Sequence, residues 1–346
     1  DLSDPEIFLT DTHWGYFERL RSEDPVHYCA ESEYGPYWSV TRFDDIVHVE
    51  KNPEIYSSAH SIFLSDPEPD FPLEGGFITM DGPKHDAQRK VVQPVVAPRN
   101  LKTLEPLIRE RVTNILDGLP TDDTFDWVDR VSIELTTAML ATLFDFPHEQ
   151  RRKLTHWSDV AALGAGGGIA SMGITEEEGR ATLMECLDVF TALWKEREKK
   201  PQGDRLDFVT SMIHGAATKE MQPLEYLGTL LLLIIGGNDT TRNSISGGVV
   251  ALNQYPKEYQ KLRDNPDLIP NMVSEIIRWQ TPLAYMRRTA ARDTELAGKK
   301  IKKGDKVVMW YVSANRDETA IERPNEFLID REDARKHLSF GIGVHF

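Results

Sequence analysis

Apolar side chains recur three and four residues apart over most of residues 84–255, and clusters of Pro, Gly and Asp separate the runs. This spacing is typical of amphipathic helices, so the segment is predicted to be helical nearly throughout. Short stretches that read as strands lie on either side of it, at 26–29, 37–40, 294–296 and 307–312. The pattern predicts a mainly α fold with small β sheets (α+β), with a helical part over about 80–285 and a β-containing part from about 1–60 and 290–346.

Residues 223–255 are predicted to form one unusually long helix. Its middle carries the adjacent glycines Gly236 and Gly237, each of which costs about 1 kcal/mol relative to alanine in a helix interior. One explanation is a flat ligand lying against bare backbone, beside an acid and a hydroxyl at Asp239 and Thr240 that could pass protons. The other is a helix kink with a threonine bonded back to the preceding turn.

The composition is that of an ordinary globular protein, with 40% apolar and 28% charged residues. Because 40 Lys and Arg face 56 Asp and Glu, the formal charge is -16, which disfavours nucleic acid as a partner. The longest apolar run, 230–235, is far shorter than the roughly 20 residues of a membrane span. The first residues carry no secretory signal, and Cys29 and Cys186 are expected to be buried free thiols of a cytoplasmic protein.

Glu275 and Arg278 place a carboxylate and a guanidinium three residues apart on one predicted helix face. Such a pair is ordinarily solvated and contributes about 0.2–0.5 kcal/mol. The apolar neighbours Ile276, Ile277 and Trp279 indicate partial burial, and a buried pair demands further hydrogen-bond partners.

The chain ends, at 337–346, in two spaced glycines flanked by aromatic residues and histidine, without helix or strand periodicity. This segment is either a turn that lets backbone approach a cofactor or a hairpin.

These motifs, in this order, resemble those of the bacterial cytochromes P450, which are haem-thiolate monooxygenases. The resemblance extends from about residue 11 to 346 and includes the stretch 314–317. Within that family the chain most resembles the soluble alkane and fatty-acid terminal (omega) hydroxylases. The segments behind this closer match are 80–86, 236–244, 275–283 and 303–311. The resemblance implies the cytochrome P450 fold, a single P450 domain over 1–346 and haem b as the cofactor.

In the family, the residue after the position of Phe346 is the cysteine whose thiolate binds iron. We therefore expect the chain to be a C-terminally incomplete P450 domain, with no metal ligand of its own. Neither Cys29 nor Cys186 lies in a matching context.

The resemblance implies a role for each motif residue. The haem propionates would be reached by His85, Arg89, Arg288 and His345. Further contacts with the cofactor would come from Gly237, Phe340 and Gly341. Asp239 and Thr240 match the acid and alcohol of the family's proton delivery. Read without the family order, the charged residues are surface or capping residues.

Glu275 and Arg278 match the pair that braces the haem-binding core, a structural role. Their usual third partner is not evident, because Glu326 stands where many relatives carry a basic residue.

The substrate pocket would be lined by Gly236, Leu283, Ala284 and Met286, with residues of the loop around 62–77. Each of these is otherwise explained as core packing.

The leading hypothesis is hydroxylation of the terminal carbon of medium- or long-chain alkanes or fatty acids, using O₂ and two electrons. The resemblance implies a ferredoxin and a separate ferredoxin reductase as partners, because the chain has no flavin or nicotinamide segment. One alternative is a P450 that hydroxylates another apolar substrate, such as a terpenoid. The other, of a different class, is an inactive haem-free fragment or binding protein.

Overall fold

The computed structural model describes residues 1–67, 76–165, 168–201, 203 and 206–346. The chain divides into two compact units. We call Asp1–Asp66 with Asn243–Phe346 the sheet unit, and Pro67–Arg242 the helical unit.

The α-helices, in chain order, are Glu6–Leu9 (α1), His13–Glu23 (α2), Phe43–Lys51 (α3), Lys84–Val92 (α4), Pro98–Asp117 (α5), Glu134–Phe144 (α6), Arg152–Ala165 (α7), Glu176–Arg197 (α8), Phe208–His214 (α9), Pro223–Gln254 (α10), Pro256–Asp264 (α11), Ile269–Gln280 (α12) and Tyr311–Ala314 (α13). Short 3₁₀ turns occur at Gly76–Thr79, Gln93–Val96, His148–Gln150, Ile169–Met172, Pro266–Leu268 and Gly343–His345. A π-helical turn, Val128–Ile133, leads into α6.

The strands belong to the sheet unit and are Val26–Cys29 (β1), Tyr37–Val40 (β2), Tyr56–Ser57 (β3), Met286–Ala290 (β4), Thr294–Leu296 (β5), Lys299–Ile301 (β6) and Lys306–Met309 (β7). Five of them form one sheet in the order β1-β2-β7-β4-β3, while β5 and β6 form a separate hairpin. Only the β2–β7 pairing is parallel within the described sheet. The central strand of this sheet is β7, and β4 lies between β7 and the edge strand β3.

Each unit has its own apolar core. The core of the helical unit joins α6, α7, α8, α9 and α10 around large side chains such as Phe144, Trp157 and Phe190. In the sheet unit, buried residues of β2, β4 and β7 pack with α3. Burial of these side chains supplies the main stabilisation of each unit.

The long central helix is confirmed as α10, within one residue of the predicted end. It is apolar on several sides because Leu230, Leu231 and Ile234 are all buried in the core of the helical unit. Residues of α10 up to Arg242 belong to that unit, and those from Asn243 belong to the sheet unit.

The predicted strands at 26–29, 37–40 and 294–296 are confirmed with the same bounds. The strand predicted over 307–312 is wrong at its end, because β7 stops at Met309 and α13 begins at Tyr311. Trp310 ends the strand: its N–H donates to Val40, and its carbonyl accepts from the first helical turn. Burial of the whole run gave an apolar pattern that fits either structure.

Other elements were not predicted, namely α1, α3, β3, β4, β6 and α11. The sequence also predicts an irregular, proline-rich segment over 65–72 and a glycine-rich break between helices at 164–168. Most of the first and part of the second lie outside the described residues. Among helices of the described ranges, none has both the length and the apolarity that crossing a membrane requires.

Candidate active site

The two glycines in the middle of α10 have different surroundings. A Cβ atom added at Gly236 would meet no atom within 4 Å, so this side of the helix is open. A Cβ at Gly237 would lie 2.7 Å from Cδ2 of Leu140 on α6. Gly237 therefore serves close helix packing, whereas Gly236 presents bare backbone to open space. The hydroxyl of Thr240 donates to the carbonyl oxygen of Gly236 at 2.8 Å, the back-bond that a structural explanation of this motif requires.

The carboxylate of Asp239 lies in a network of side chains in the helical unit. Its Oδ1 accepts from Nη2 of Arg242 at 2.9 Å and from Nδ2 of Asn238 at 3.2 Å. The same Arg242 nitrogen also donates to Asp159 of α7, at 3.1 Å. Asn238 is fully buried and accepts from the hydroxyl of Thr136. Burial raises the pKa of Asp239 above its ordinary value; Arg242 opposes that rise and Asp159 adds to it.

His85 and Arg89 lie one helical turn apart on α4, a spacing that places both on one face of the helix. His85 is buried, with Nδ1 2.8 Å from Oδ1 of Asp86, whereas Arg89 is half-buried. Two further contacts fasten α4 to the start of α10, because Lys84 and Gln88 both bind the carboxylate of Glu225. The helix that carries His85 and Arg89 is thus held by an ion pair and a hydrogen bond.

Arg288 of β4 is buried beneath the sheet unit's surface together with a carboxylate. Its Nη2 lies 3.3 Å from Oε1 of Glu50 on α3, and its Nη1 donates to the carbonyl of Arg287. The hydroxyl of Tyr311 donates to the same Glu50 oxygen. Burial and the Glu50 charge together raise the pKa of Tyr311 well above its ordinary value, which keeps the phenol neutral.

The segment 337–346 is a turn and not a hairpin, since its described residues form bends and one 3₁₀ turn. Gly341 and Gly343 have φ of 69° and 84°, a region that favours glycine. A Cβ at Gly343 would lie 2.7 Å from the carbonyl oxygen of Glu50, and a Cβ at Gly341 3.2 Å from its carboxylate. Beyond them, a ring nitrogen of His345 lies 2.9 Å from the hydroxyl of Ser58. Both glycines therefore let the loop approach α3.

Phe340, the remaining predicted cofactor contact of this loop, leaves 37% of its side chain exposed. Its neighbour Gly341 is buried. The loop thus carries a partly exposed aromatic ring next to the backbone that packs on α3.

Glu275 and Arg278 form a fully buried ion pair on α12, with Nε to Oε2 at 2.8 Å. Arg331 is the third partner that sequence reasoning missed: its Nε donates to Glu275 Oε2 at 3.0 Å. Glu275 also accepts from the backbone N–H of Leu328. Glu326, at the position where a basic residue was expected, contributes its carbonyl to both arginines. The only feature of the sequence that could have pointed to Arg331 as this partner is that it is a basic residue shortly after Phe327.

The residues predicted to line a substrate pocket belong to both units: three lie around the start of β4 in the sheet unit, and one lies in the helical unit. Leu283, Ala284 and Met286 are all half-buried in the approach to β4. Leu283 and Met286 pack at the edge of the core under the sheet, while Ala284 adjoins the neighbouring cluster around Trp310. Gly236 belongs to the helical unit and is exposed. Partly uncovered apolar side chains are compatible with an apolar ligand.

Each unit contributes groups whose chemistry suits part of haem b, a flat apolar group that carries carboxylates. Gly236 leaves open space along α10, which a flat ring can approach closely. Arg288 brings a buried guanidinium, and guanidinium and imidazole groups suit propionates. Within the described ranges, no group of three or more His, Cys, Asp or Glu side chains is placed to hold a metal ion.

Comparisons with known proteins all point to one family. The family model described as Cytochrome P450 matches residues 174–346. The linalool 8-monooxygenase of Pseudomonas putida is 33% identical to this chain, over 100% of it and 86% of the relative. The methyl-branched lipid omega-hydroxylase of Mycobacterium tuberculosis (strain ATCC 25618 / H37Rv) is 30% identical, over 97% and 80%.

Solved structures give the same result. Cytochrome P450-153 from Novosphingobium aromaticivorans superimposes with a TM-score of 0.91 at 44% identity. CYP153D17 from Sphingomonas sp. PAMC 26605 gives 0.92 at 46% identity. Each comparison covers 100% of this chain and 86% of the other.

The fold and the relatives together define a haem-dependent monooxygenase. The chain belongs to the cytochrome P450 family. The predicted fold, enzyme class and haem b cofactor are thereby confirmed.

Proposed function

We propose that this P450 hydroxylates the terminal carbon of medium- or long-chain alkanes or fatty acids. The observation that carries the proposal is the similarity to a methyl-branched lipid omega-hydroxylase over 97% of the chain, an enzyme named for the end of a lipid chain. The half-buried apolar residues Leu283, Ala284 and Met286 support it, because an apolar lining suits a hydrocarbon. In a narrow apolar pocket, a linear substrate can bring its terminal carbon to the reacting centre more easily than its inner carbons.

Haem, when bound, supplies the activation of O₂ that hydroxylation requires. In this proposal Arg288, His345, His85 and Arg89 hold its propionates, since cationic and hydrogen-bonding side chains bind carboxylates strongly. Phe340 provides apolar surface in this proposal. Gly237 and Gly341 face Leu140 and Glu50, so they act by letting α10 and the loop pack closely within the protein. Helix α12, which carries the buried ion pair, contacts the loop 337–346 directly, because the hydroxyl of Ser339 donates to the carbonyl of Ile277.

Asp239 and Thr240 handle protons in this proposal. Burial raises the pKa of Asp239, so its carboxyl group holds a proton more readily than an exposed aspartate does. The hydroxyl of Thr240 is oriented by its donation to Gly236, and its oxygen lone pairs can accept a proton from the acid's side. The two groups are adjacent in sequence on α10, beside the open space at Gly236.

We further propose that the two electrons come from a ferredoxin that is reduced by a separate ferredoxin reductase, and that the protein works in the cytoplasm. Partners of this kind associate through surfaces of complementary charge.

A second candidate substrate class is terpenoid. The relative named linalool 8-monooxygenase is 33% identical over 100% of this chain, and linalool is a small apolar terpene alcohol. This similarity is of the same order as that to the lipid omega-hydroxylase, so substrate turnover must separate the two.

The test is a competition between substrate classes. Haem-loaded protein, a ferredoxin and its reductase are given n-alkanes and fatty acids of about six to sixteen carbons, and linalool in parallel. Gas chromatography with mass spectrometry identifies products and their positions. The proposal expects terminal alcohols and higher kcat/KM for the linear chains. Preferential oxidation of linalool, or hydroxylation only at inner carbons, would contradict it.

A further inference from the structure

One guanidinium in the helical unit serves two carboxylates. Nη2 of Arg242 donates to Oδ1 of Asp239 at 2.9 Å and to Oδ1 of Asp159 at 3.1 Å. Asp239 and Arg242 lie three residues apart on α10, whereas Asp159 comes from α7. Since a single nitrogen carries two N–H groups, it can serve both acceptors at once, but its positive charge is shared between them.

Few charged groups lie close enough to Asp239 to control its charge. Side-chain exposure is 17% for both Asp239 and Arg242 and 33% for Asp159, so water screens the trio only partly. Among the described residues, Arg242 and Asp159 are the charged groups that act on this carboxyl. Helix α6 contributes a neutral contact, through Thr136 and the buried amide of Asn238.

We propose that Arg242 and Asp159 are positioning residues that set the charge of Asp239, with Asp159 holding part of the Arg242 guanidinium away from it. The inference rests on the proposed role of Asp239 as the acid that holds a proton. Burial disfavours the charged form of Asp239, Arg242 favours it, and Asp159 opposes Arg242. Asp159 thus makes Asp239 a better proton holder without touching the reacting atoms.

The arrangement also links two helices. Because Asp159 belongs to α7, the share of the Arg242 charge that reaches Asp239 depends on the position of α7. Helix α7 carries two groups that act on Asp239: the Asp159 charge opposes its ionisation, and the hydroxyl of Ser158 favours it.

The charges act in opposite directions, so the two single variants make opposite predictions. Asp159→Asn frees Arg242 for Asp239 and is expected to lower the pKa of Asp239. Arg242→Gln removes the favourable charge and is expected to raise it. Arg242→Lys keeps the positive charge and is expected to stay closest to the parent protein. Asp188→Asn, at an exposed carboxylate of α8, is the control and should cause no shift.

Infrared titration measures this directly. The haem-loaded protein is prepared with ¹³C-carboxyl-labelled aspartate, and the carboxyl band that Asp239→Asn removes is followed against pH. The pH profile of product formed per electron pair should move in the same direction as the band in each variant. If Asp159 and Arg242 had a purely structural role, Asp159→Asn and Arg242→Gln would not shift the pKa of Asp239 in opposite directions.

The inference is overturned if both variants move the band in the same direction, or if Asp159→Asn matches Asp188→Asn. Should Arg242→Gln fail to fold, Asp159→Asn with Arg242→Lys still decides, because only the former should lower the pKa. The titration needs no substrate, so an error in the proposed substrate class would leave it unchanged.

Discussion

Nε of Arg331 donates to Oε2 of Glu275 at 3.0 Å, across 56 positions of the chain. The same guanidinium also donates to backbone carbonyls of Glu322, Arg323 and Glu326. One side chain therefore fastens the segment after α13 to a carboxylate on α12 that is itself fully buried. Removing a partner from a buried ion pair leaves charge and hydrogen-bond acceptors uncompensated.

Arg331→Met is accordingly expected to lower the free energy of unfolding by about 3 kcal/mol, even though methionine fills a similar volume. Urea unfolding followed by circular dichroism measures the loss. Arg335→Met, at an exposed arginine four residues further on, is the matched control and should change stability by less than about 0.5 kcal/mol. Equal losses in the two variants would show that the contact with Glu275 contributes nothing.

The glycine at 343 is predicted to be required for two separable reasons. Its φ of 84° costs any other residue about 1–2 kcal/mol, and a Cβ would also lie 2.7 Å from the carbonyl oxygen of Glu50. Gly304 has a similar φ of 90°, with no atom within 4 Å of its added Cβ. Gly343→Ala should therefore destabilise by at least about 1 kcal/mol more than Gly304→Ala, as measured by urea unfolding. If the two losses are equal, close packing on α3 does not restrict this position.

Much of the fold was predictable because its longest elements carry strong periodic patterns. The helix α10 and the strands β1 and β2 were predicted within one residue, since prolines mark where they begin or end in the sequence. The end of β7 was missed because Trp310, Tyr311 and Val312 are all buried, whether as strand or as helix. Local pattern cannot distinguish these structures when every side chain is covered.

The candidate site was predictable only where its residues are neighbours in sequence. Spacing on one helix indicated the pair Glu275 and Arg278, and the motif on α10 indicated Asp239. The contacts of Glu50, Arg331 and Asp159 depend on helices and strands that the chain brings together over long separations. Arg242 could have been found, because it lies three residues after Asp239, a spacing that brings side chains together on a helix.

Burial of His13 predicts a loss of stability in mild acid. Its ring stacks on Phe8 and lies against Trp14, and burial lowers the pKa of His13 below its ordinary value of 6.5. The unfolded chain therefore binds a proton that the folded protein resists, so stability is complete above about pH 6.5 and falls as pH decreases through the window below it. His13→Phe should flatten this fall between about pH 7 and 5.

Urea unfolding at several pH values gives the comparison. His156→Phe, at an exposed histidine of α7, should retain the slope of the parent protein. An unchanged slope in His13→Phe would mean that other groups cause the acid loss.

Thr240 offers the sharpest test of proton handling on α10, because a second threonine follows it. Thr240 is half-buried and bonded to Gly236, whereas Thr241 is exposed on the neighbouring side of the helix. Removing the hydroxyl with Thr240→Ala should lower the hydroxylated product per electron pair by at least about tenfold, with electrons diverted to reduced oxygen species. Thr241→Ala removes the same group one residue away and should leave that ratio unchanged.

The conservative variant separates chemistry from packing. Thr240→Ser retains the hydroxyl and should recover most of the product yield, while a packing role would leave serine as defective as alanine. Product is measured by gas chromatography, and hydrogen peroxide and electron consumption are measured in the same reactions. All three variants retain the backbone hydrogen bonds of α10. Equal yields in Thr240→Ala and Thr241→Ala would therefore show that Thr240 takes no part in proton delivery and serves only as a hydrogen-bond donor to the helix backbone.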